Sequence, residues 1–266
     1  MIRYSIPEMF GMLRTPLGRI QLREGAFQFL WPLFRLLAGI YRRYVIHECC
    51  ITVVIGSFGK TTTMRAISAA LDYPEEKLTE RNSLSHVAMS LLRIKPGTKY
   101  VVLEVGIEKQ GQMGPYASLI RPDIVVVTSI GSEHNRSMGD LETTRTEKAE
   151  MVRALKPNGT AILNGDDSHV LWMKPEIKGA TICAGFQQHN DIRLLEYNLD
   201  WPRGSRVKID MHGVTLQLHT RFIGAHFGFS IIAALVVAKL NNINLKSAID
   251  RVAQLEPTNQ RLNTVK

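Results

Sequence analysis

The segment VVIGSFGKTTT (residues 53–63) restricts the fold of this chain more than any other feature. A short β-branched run leads into a turn with Gly56 and Gly59, and Lys60 and Thr61 then open a predicted helix. Glycines let backbone N–H groups approach phosphate oxygens, the helix N-terminus attracts negative charge, and the lysine adds a point charge. The Thr61 hydroxyl is placed to ligate Mg²⁺. The segment predicts a polyphosphate-binding loop, with a purely structural glycine turn as the alternative.

Strand and helix patterns alternate along the middle of the chain. The apolar runs are long enough only for buried parallel strands, and helical patterns separate them. Such alternation is typical of a mostly parallel, doubly wound α/β sheet. Strands are predicted over 51–55, 99–105, 123–130, 160–165 and 180–185, and helices over 61–71 and 141–155.

The last third of the chain has a different pattern. Residues 191–222 alternate in polarity around His212 and Gly213, which predicts a small antiparallel β-hairpin part. Helices are expected over 226–240 and 245–255. We therefore expect three parts: an N-terminal amphipathic helical extension (1–48), an α/β domain (49–256) and a final linker (257–266).

Residues 1–48 contain seven arginines and no lysine, against three glutamates. Their apolar residues recur at spacings of three and four, which predicts an amphipathic helix. The helix could pack on the main core, or it could lie at a membrane surface with residues 20–44 in weak contact, because arginines stand beside bulky apolar residues. The apolar residues are Phe27, Leu30, Trp31, Phe34, Leu37, Ala38 and Tyr41.

Composition excludes several classes of protein. The net charge of +9 and the pI near 9.6 favour anionic partners. However, no aromatic–basic platform of the kind that binds nucleic acid is present, so no nucleic-acid partner is expected. The three cysteines include an adjacent pair without metal-ligand spacing, which indicates a reducing, cytoplasmic location. No run of about 20 uninterrupted apolar residues exists, so a membrane-spanning helix is not expected.

Polar residues follow two successive predicted strands. Glu104 ends the strand over 99–105, and His134 comes shortly after the strand over 123–130. In open α/β sheets, ligands bind at the carboxyl ends of the strands. A carboxylate at that edge, opposite a phosphate loop, is a natural Mg²⁺ ligand.

The loop GSFGKTTT resembles that of the Mur ligase family, ATP-dependent enzymes that add amino acids to the peptidoglycan precursor. The resemblance continues in register over residues 45–262, and it implies the fold of the family's central ATP-binding domain for residues 49–256. Several ordered motifs at family spacing are more specific than any one of them. They are TERNSLSHVAMSLL (79–92), LEVGIEKQGQM (103–113), RPDIVVVTSIGSEH (121–134) and TRTEKAEMVRALKPNGTAILNGDD (144–167); the second is similar to the members that add D-alanyl-D-alanine.

The resemblance implies roles for individual residues. It implies ATP contacts from Gly56, Ser57, Phe58, Gly59, Lys60, Thr61, Thr62, Asn164, Asp166 and Arg261. It implies two Mg²⁺ ions held by Thr61, Glu104, His134 and Lys148, and an asparagine on the substrate side, Asn82. Lys60, His134 and Lys148 are the implied catalytic residues.

Lys148 lies on the apolar stripe of its predicted helix, since Leu141, Val152 and Leu155 stand seven before, four after and seven after it. Burial favours a neutral, nucleophilic amine. The alternative is a lysine whose stem packs while its ammonium reaches solvent. The resemblance implies that the amine reacts with CO₂ to give a carbamate, an anion that helps to hold Mg²⁺.

The implied reaction is ligation through an acyl phosphate. A carboxylate substrate such as a UDP-muramoyl peptide attacks ATP, and an amino acid or dipeptide amine then forms the amide. The alternatives are a related ligase for another carboxylate, such as a poly-amino-acid synthetase, and a nucleotide-dependent switch or transport ATPase.

Three departures from the family pattern bear on this reading. Phe227 and Ser230 replace asparagines that lie near adenine in the family, which predicts weaker adenine contacts. Residues 1–48 are too short for the family's usual N-terminal UDP-binding domain. The sequence also stops where the family's C-terminal domain begins, so a separate C-terminal domain is an expected partner.

Overall fold

A computed structural model describes residues 14–74, 84–132 and 139–256. Eight strands form one sheet, with helices between and after them. Strands β1 to β8 are Cys50–Ile55, Tyr100–Glu104, Ile124–Val127, Thr160–Asn164, Ala180–Gly185, Ile192–Asp200, Gly204–Met211 and Val214–Thr220. Helices α1 to α8 are Pro16–Tyr44, Lys60–Ala70, Leu84–Arg93, Met113–Ile120, Leu141–Arg153, Ser168–Leu171, Gly228–Leu240 and Leu245–Gln254, with 3₁₀ turns at Lys174–Glu176 and Ala225–Phe227.

The strand order is β2-β1-β3-β4-β5-β6-β7-β8. Pairing is parallel from β2 through β6, while β7 and β8 continue the same sheet as antiparallel strands. The order reverses between β1 and β3, and such a switch point is where open α/β sheets bind ligands. The predicted α/β fold class is therefore confirmed, and the loop that follows β1 lies at the switch point.

Alternate residues of the buried strands face two separate cores. In β1, Val53 and Ile55 belong to one apolar cluster and Val54 belongs to the other. The first cluster is covered by α1, α3, α4 and α5, and the second by α2, α7 and α8. Because both faces are covered, the strands read as continuous apolar runs in the sequence.

The antiparallel part is larger than the predicted hairpin. The turn at His212 and Gly213 joins β7 to β8 as expected, and both residues have positive φ. In addition, β6 pairs in parallel with β5 and antiparallel with β7, so it links the two parts of the sheet. The strand predicted over 123–130 ends at Val127, because the residues after it bond to the phosphate loop instead.

Helix α1 covers the first core with one face. Thr15 caps it by accepting a hydrogen bond from the Gly18 N–H, and Pro16 stands in its first turn. Ala38 is fully buried in the core, and Trp31 and Phe34 are partly buried against it. Two residues of the predicted apolar stripe, Leu30 and Leu37, are instead exposed.

The buried guanidinium of Arg42 attaches α1 to the sheet. It donates to the carbonyl oxygens of Ile120, Ile46, Cys49 and Arg121, at 2.8–3.1 Å. It also bonds to Asp123 Oδ2 at 2.8 Å, at the start of β3. Asp123 in turn accepts from Lys156 Nζ and from the Ile51 N–H. This network joins the end of α1 to the beginnings of β1 and β3.

Within the part of the chain that the structure describes, no helix combines the length and the apolar character needed to cross a membrane.

We expect Arg42→Met to lower the free energy of unfolding by about 3 kcal/mol, because buried carbonyls and a carboxylate lose their donor while the apolar stem is kept. The matched control is Arg43→Met at the exposed neighbouring position, with an expected change within about 0.5 kcal/mol. Urea unfolding followed by circular dichroism measures both values. Equal effects of the two substitutions would contradict a structural role for Arg42.

Candidate active site

The phosphate loop (residues 56–62) depends on two glycines with positive φ. Gly56 has φ 142°, and a Cβ there would lie 2.0 Å from Thr128 Oγ1 and 3.0 Å from the Ser129 backbone N. Gly59 has φ 78° and caps the N-terminus of α2, with open space where a side chain would point. The first glycine therefore permits close packing, and the second permits the left-handed backbone from which α2 starts.

Ser57 joins the two lysines of the site. Lys60 Nζ donates to the Ser57 carbonyl oxygen at 2.7 Å, and Lys148 Nζ donates to Ser57 Oγ at 2.9 Å. The same hydroxyl donates to the Gly131 carbonyl oxygen at 2.9 Å and accepts from the Gly131 N–H at 2.8 Å. With one donor and two acceptor positions in use, the bonding capacity of the hydroxyl is filled. The loop thus carries two lysine nitrogens beside it.

Lys148 is buried, with 5% of its surface exposed. Its amine reaches the phosphate loop, so the alternative of an ammonium extended into solvent does not apply. Helix α5 holds it there: Asp140 caps the helix by accepting from the Thr143 N–H, which lowers the pKa of the Asp140 carboxyl. One residue before the lysine, Glu147 accepts a hydrogen bond from the Met113 N–H at the start of α4.

Glu104 lies beside the first turn of α2. It is paired in register with Val54, so the end of β2 lies next to the end of β1. Thr61 Oγ1 donates to Glu104 Oε2 at 2.8 Å. Glu104 is 9% exposed. A hydroxyl and a carboxylate in contact beside a phosphate loop are the oxygen ligands that Mg²⁺ prefers.

The segment after β3, of which residues 128–130 were predicted as strand, supports the loop instead. Thr128 Oγ1 donates to the Phe58 carbonyl oxygen at 2.6 Å, and the Phe58 N–H donates to Ser129 Oγ at 3.0 Å. The Ser57 N–H donates to the Ser129 carbonyl oxygen. A run of hydroxyl residues directly after a buried strand, TSIGS (128–132), was the signal that could have identified these contacts.

Asn164 and Asp166 lie at the same edge of the sheet but make different contacts. Asn164 Nδ2 donates to the Thr128 carbonyl oxygen at 2.8 Å and so ties the end of β4 to the end of β3. Asp166 accepts from the backbone N–H groups of Phe186 and Gln187 and from Asn190 Nδ2. In this structure Asp166 therefore holds the turn after β5.

A family model described as the Mur ligase middle domain matches residues 54–238. The match covers more than half of the 266 residues. The chain belongs to the Mur ligase family. The matched region contains the phosphate loop, Glu104 and Lys148.

Relatives of known activity are similar over most of this chain. The UDP-N-acetylmuramoyl-tripeptide–D-alanyl-D-alanine ligase of Escherichia coli (strain K12) is 31% identical over 228 residues, which are 80% of this chain and 50% of the relative. The ligase of the same name from Bacillus subtilis (strain 168) is 29% identical over 221 residues, again 80% of this chain and 46% of the relative. The chain thus spans about half the length of the relatives that it matches.

Solved structures of Mur ligases share the fold. MurF from Acinetobacter baumannii superposes with a TM-score of 0.78 at 22% identity, covering 87% of this chain and 52% of that chain. MurF from Thermotoga maritima, in complex with ADP, has a TM-score of 0.77 at 20% identity, covering 89% and 55%. At these identities the similarity supports the fold alone.

Phe227 and Ser230, which depart from the Mur ligase pattern, both point into the protein. Phe227 is buried and stacks on Phe222 with ring centroids 4.9 Å apart. Ser230 Oγ lies 2.8 Å from Thr63 Oγ1 in α2, also buried. The neighbouring His226 is exposed, and partial desolvation lowers its pKa. Ser230 therefore attaches α7 to α2, and Phe227 attaches the 3₁₀ turn before α7 to Phe222.

Three residues named from the family resemblance lie outside the described residues: Asn82, His134 and Arg261. Across the described ranges, no group of three or more histidine, cysteine, aspartate or glutamate side chains is arranged to hold a metal. The hydroxyl of Thr61 and the carboxylate of Glu104 are in contact beside the loop.

The cysteines show no sign of a catalytic or metal-binding role. Cys49 and Cys183 are buried, and all three cysteines are free thiols. Burial raises the pKa of Cys49 and of Cys50 to about 11. The thiols are therefore protonated at neutral pH, and thiols are poor nucleophiles and metal ligands.

We expect Gly56→Ala to lower the free energy of unfolding by about 3 kcal/mol, because the added Cβ would overlap Thr128 and the backbone conformation is unfavourable. Gly59→Ala is the matched control, with a positive φ but open space, and should cost about 1 kcal/mol. Urea unfolding measures both. If the two substitutions cost the same, close packing of the loop against β3 is not what requires Gly56.

Proposed function

We propose that this chain is the ATP-binding part of a Mur-type ligase, an enzyme that joins a carboxylate to an amine at the expense of ATP. The observation that carries the proposal is the hydrogen bond from buried Lys148 to Ser57 in the phosphate loop, at 2.9 Å. This contact brings a second lysine, from another helix, to the loop that would hold the phosphates of ATP. Membership of the Mur ligase family supports the same activity.

The reaction has two steps. A carboxylate oxygen of the substrate attacks the γ-phosphorus of ATP, and the bond from that phosphorus to the bridging oxygen breaks. ADP departs, and the substrate is now an acyl phosphate. The amine nitrogen then attacks the acyl carbon, the bond to phosphate breaks, and a proton leaves the nitrogen. The first step concentrates negative charge on phosphate oxygens, so positioning and electrostatics dominate catalysis.

The residues of the loop are suited to the first step. Backbone N–H groups of residues 56–62 and the N-terminus of α2 would orient the phosphates. Lys60, which starts α2, would place its positive charge beside them. The amine of Lys60 now bonds to the Ser57 carbonyl oxygen, a contact that it would exchange for phosphate. We also propose that Asn164, Asp166 and Arg261 contact the nucleotide.

Two Mg²⁺ ions are part of the proposal, and the oxygen atoms of Thr61 and Glu104 fit one of them. His134 and a carbamate on Lys148 are the proposed further ligands. Bound Mg²⁺ would neutralise phosphate charge during transfer. The contact between Thr61 and Glu104 already brings these two side chains together beside the loop.

We propose that Lys148 carries a carbamate. The neutral amine would attack the carbon of CO₂, one C=O bond would become a C–O⁻ bond, and the nitrogen would lose a proton, so that an anion replaces the neutral amine. The nitrogen keeps one hydrogen, which can still donate to Ser57 Oγ. The burial of Lys148 supports the neutral amine that this chemistry requires.

For the substrates, we propose a UDP-muramoyl peptide as the carboxylate and D-alanyl-D-alanine as the amine. The support is that the relatives named above carry out this addition, as their names state. Asn82 would lie on the substrate side. A poly-amino-acid synthetase is the alternative with the same chemistry. A nucleotide-dependent switch or transport ATPase is less consistent with Lys148 beside the loop.

Further domains and location complete the proposal. The relatives are about twice as long as the part that this chain matches, so we propose that amide formation needs a C-terminal domain that brings the amine to the acyl phosphate. We propose a cytoplasmic enzyme in weak contact with the inner face of the membrane through residues 20–44. Exposed apolar side chains on α1 support this contact.

We expect ADP release to depend on three additions: a UDP-muramoyl tripeptide, D-alanyl-D-alanine, and a C-terminal domain of a relative supplied in trans. An assay of ADP release over a panel of carboxylates and amines measures this dependence.

Lys60→Ala should abolish ATP binding in calorimetry, because it removes the charge next to the phosphates. Lys95→Ala, an exposed lysine with the same change in charge, is the control. ATP affinity unaffected by Lys60→Ala would refute the phosphate-loop assignment.

With ¹³C-labelled bicarbonate, we expect the wild-type protein to show a carbamate carbon signal in NMR and a mass increase equal to one CO₂. Lys148→Ala should lack both and should lose ligase activity, with partial recovery when short carboxylic acids are added. Lys156→Ala, which alters a lysine paired with Asp123, is the control and should keep the signal. A wild-type protein without the signal under saturating bicarbonate would contradict the carbamate.

A further inference from the structure

Helix α1 is apolar on the side that faces away from the protein. At about 100° per residue, five large side chains fall roughly 120° to 180° around the helix axis from Ala38, which is buried in the core. We call them the outer ridge. They are Phe29 (78% exposed), Leu33 (50%), Leu36 (60%), Ile40 (48%) and Tyr44 (69%).

A helix that is apolar on opposite faces needs a second apolar environment besides the core. Isolated exposed apolar residues are ordinary, but a continuous row along four turns of a helix marks an interaction surface. The helix is fixed to the sheet by Arg42, so it cannot rotate to bury the outer ridge. The ridge is therefore a permanent feature of the surface.

A basic groove runs along one side of the outer ridge, between α1 and the end of α4. Its volume is about 800 Å³, and Trp31 and Leu119 form part of its apolar wall. Its rim is cationic, with Arg35, Arg43 and Arg121 exposed. His47 and Lys156 also line it.

The charge of the helix is strongly one-sided. Residues 16–44 contain five arginines and one glutamate. One of the arginines, Arg42, is buried and paired with Asp123, so it does not contribute to the charge of the surface. The exposed cations that remain near the outer ridge are Arg35 and Arg43.

We propose that the outer ridge and the basic groove together form a docking surface for a bilayer containing anionic phospholipid. The ridge would enter the boundary between headgroups and acyl chains, while Arg35, Arg43 and Arg121 bind lipid phosphates. This deepens the weak membrane contact in the proposed function by naming the lipid class and the side chains. It does not depend on the ligase chemistry.

Charge complementarity favours a bilayer over a second copy of this chain. Pairing two outer ridges would bring two arginine-rich rims together, and like charges in contact oppose association. An anionic membrane surface attracts them instead. The end of α1 also lies at the start of the strands, whereas the phosphate loop lies at their carboxyl ends. A protein docked in this way would keep its phosphate loop away from the bilayer.

The test is co-sedimentation of the full chain with vesicles of phosphatidylcholine alone and of phosphatidylcholine mixed with phosphatidylglycerol in equal parts. We expect binding to the mixed vesicles that weakens as salt increases, and binding at least about 10-fold weaker to phosphatidylcholine alone. Arg35→Gln/Arg43→Gln should weaken binding to the mixed vesicles by about 30-fold. Leu33→Gln/Leu36→Gln should weaken it without any change in charge.

The matched control for charge is Arg203→Gln/Arg206→Gln, two exposed arginines on the antiparallel part of the sheet, which should bind as the wild type does. Lys60→Ala should also bind vesicles normally, so failure of the ligase proposal and failure of this one give different results. Equal binding of the wild type to both kinds of vesicle would refute the anionic docking surface. No vesicle binding, together with a dimer in sedimentation that Leu33→Gln/Leu36→Gln abolishes, would show that the ridge joins two copies instead.

Discussion

The parallel pairing of β1 with β2 on one side and β3 on the other is the constraint on which the rest of the structure depends. Because all three strands run the same way, their carboxyl ends meet at one edge. The phosphate loop, Glu104 and the hydroxyl segment 128–132 therefore lie together, although they are far apart in sequence. A strand pair of opposite direction would have sent one of them to the other edge.

Within that edge, Ser57 is the residue on which the loop and the second lysine converge. Its carbonyl oxygen and its hydroxyl accept from Lys60 and Lys148, and Gly131 fixes the hydroxyl in place. The charge of Lys60 beside a turn of backbone N–H groups suits a polyanion, and Lys148 reaches the same turn from another helix. Glu104 lies at the same edge, where it accepts a hydrogen bond from Thr61 in the first turn of α2. The arrangement brings groups that attract phosphate and a carboxylate that suits a divalent cation to one edge of the sheet.

Helix α1 shows how one element can serve two environments. Arg42 and Ala38 make its inner face part of the core, so the helix is integrated into the α/β fold over its second half. The outer face is apolar as well, and the arginines beside it are exposed. Burial of the inner face fixes the orientation of the helix, which leaves the outer ridge exposed for a partner.

The sequence by itself determined strands β1 to β5, helices α2, α5, α7 and α8, the glycine turn after β1, and the position of Glu104 at the end of its strand. These follow from local patterns: apolar runs, helical periodicity, and glycines before a lysine. Only the tertiary structure decided that Lys148 reaches Ser57, that Asp166 holds the turn after β5, and that Arg42 is buried while Arg43 is not. Neighbouring arginines are equivalent in a sequence, but a helix turns by about 100° per residue, so one side chain meets the sheet and the next meets solvent. Contacts between distant segments depend on how strands and helices pack, and no local pattern records that packing.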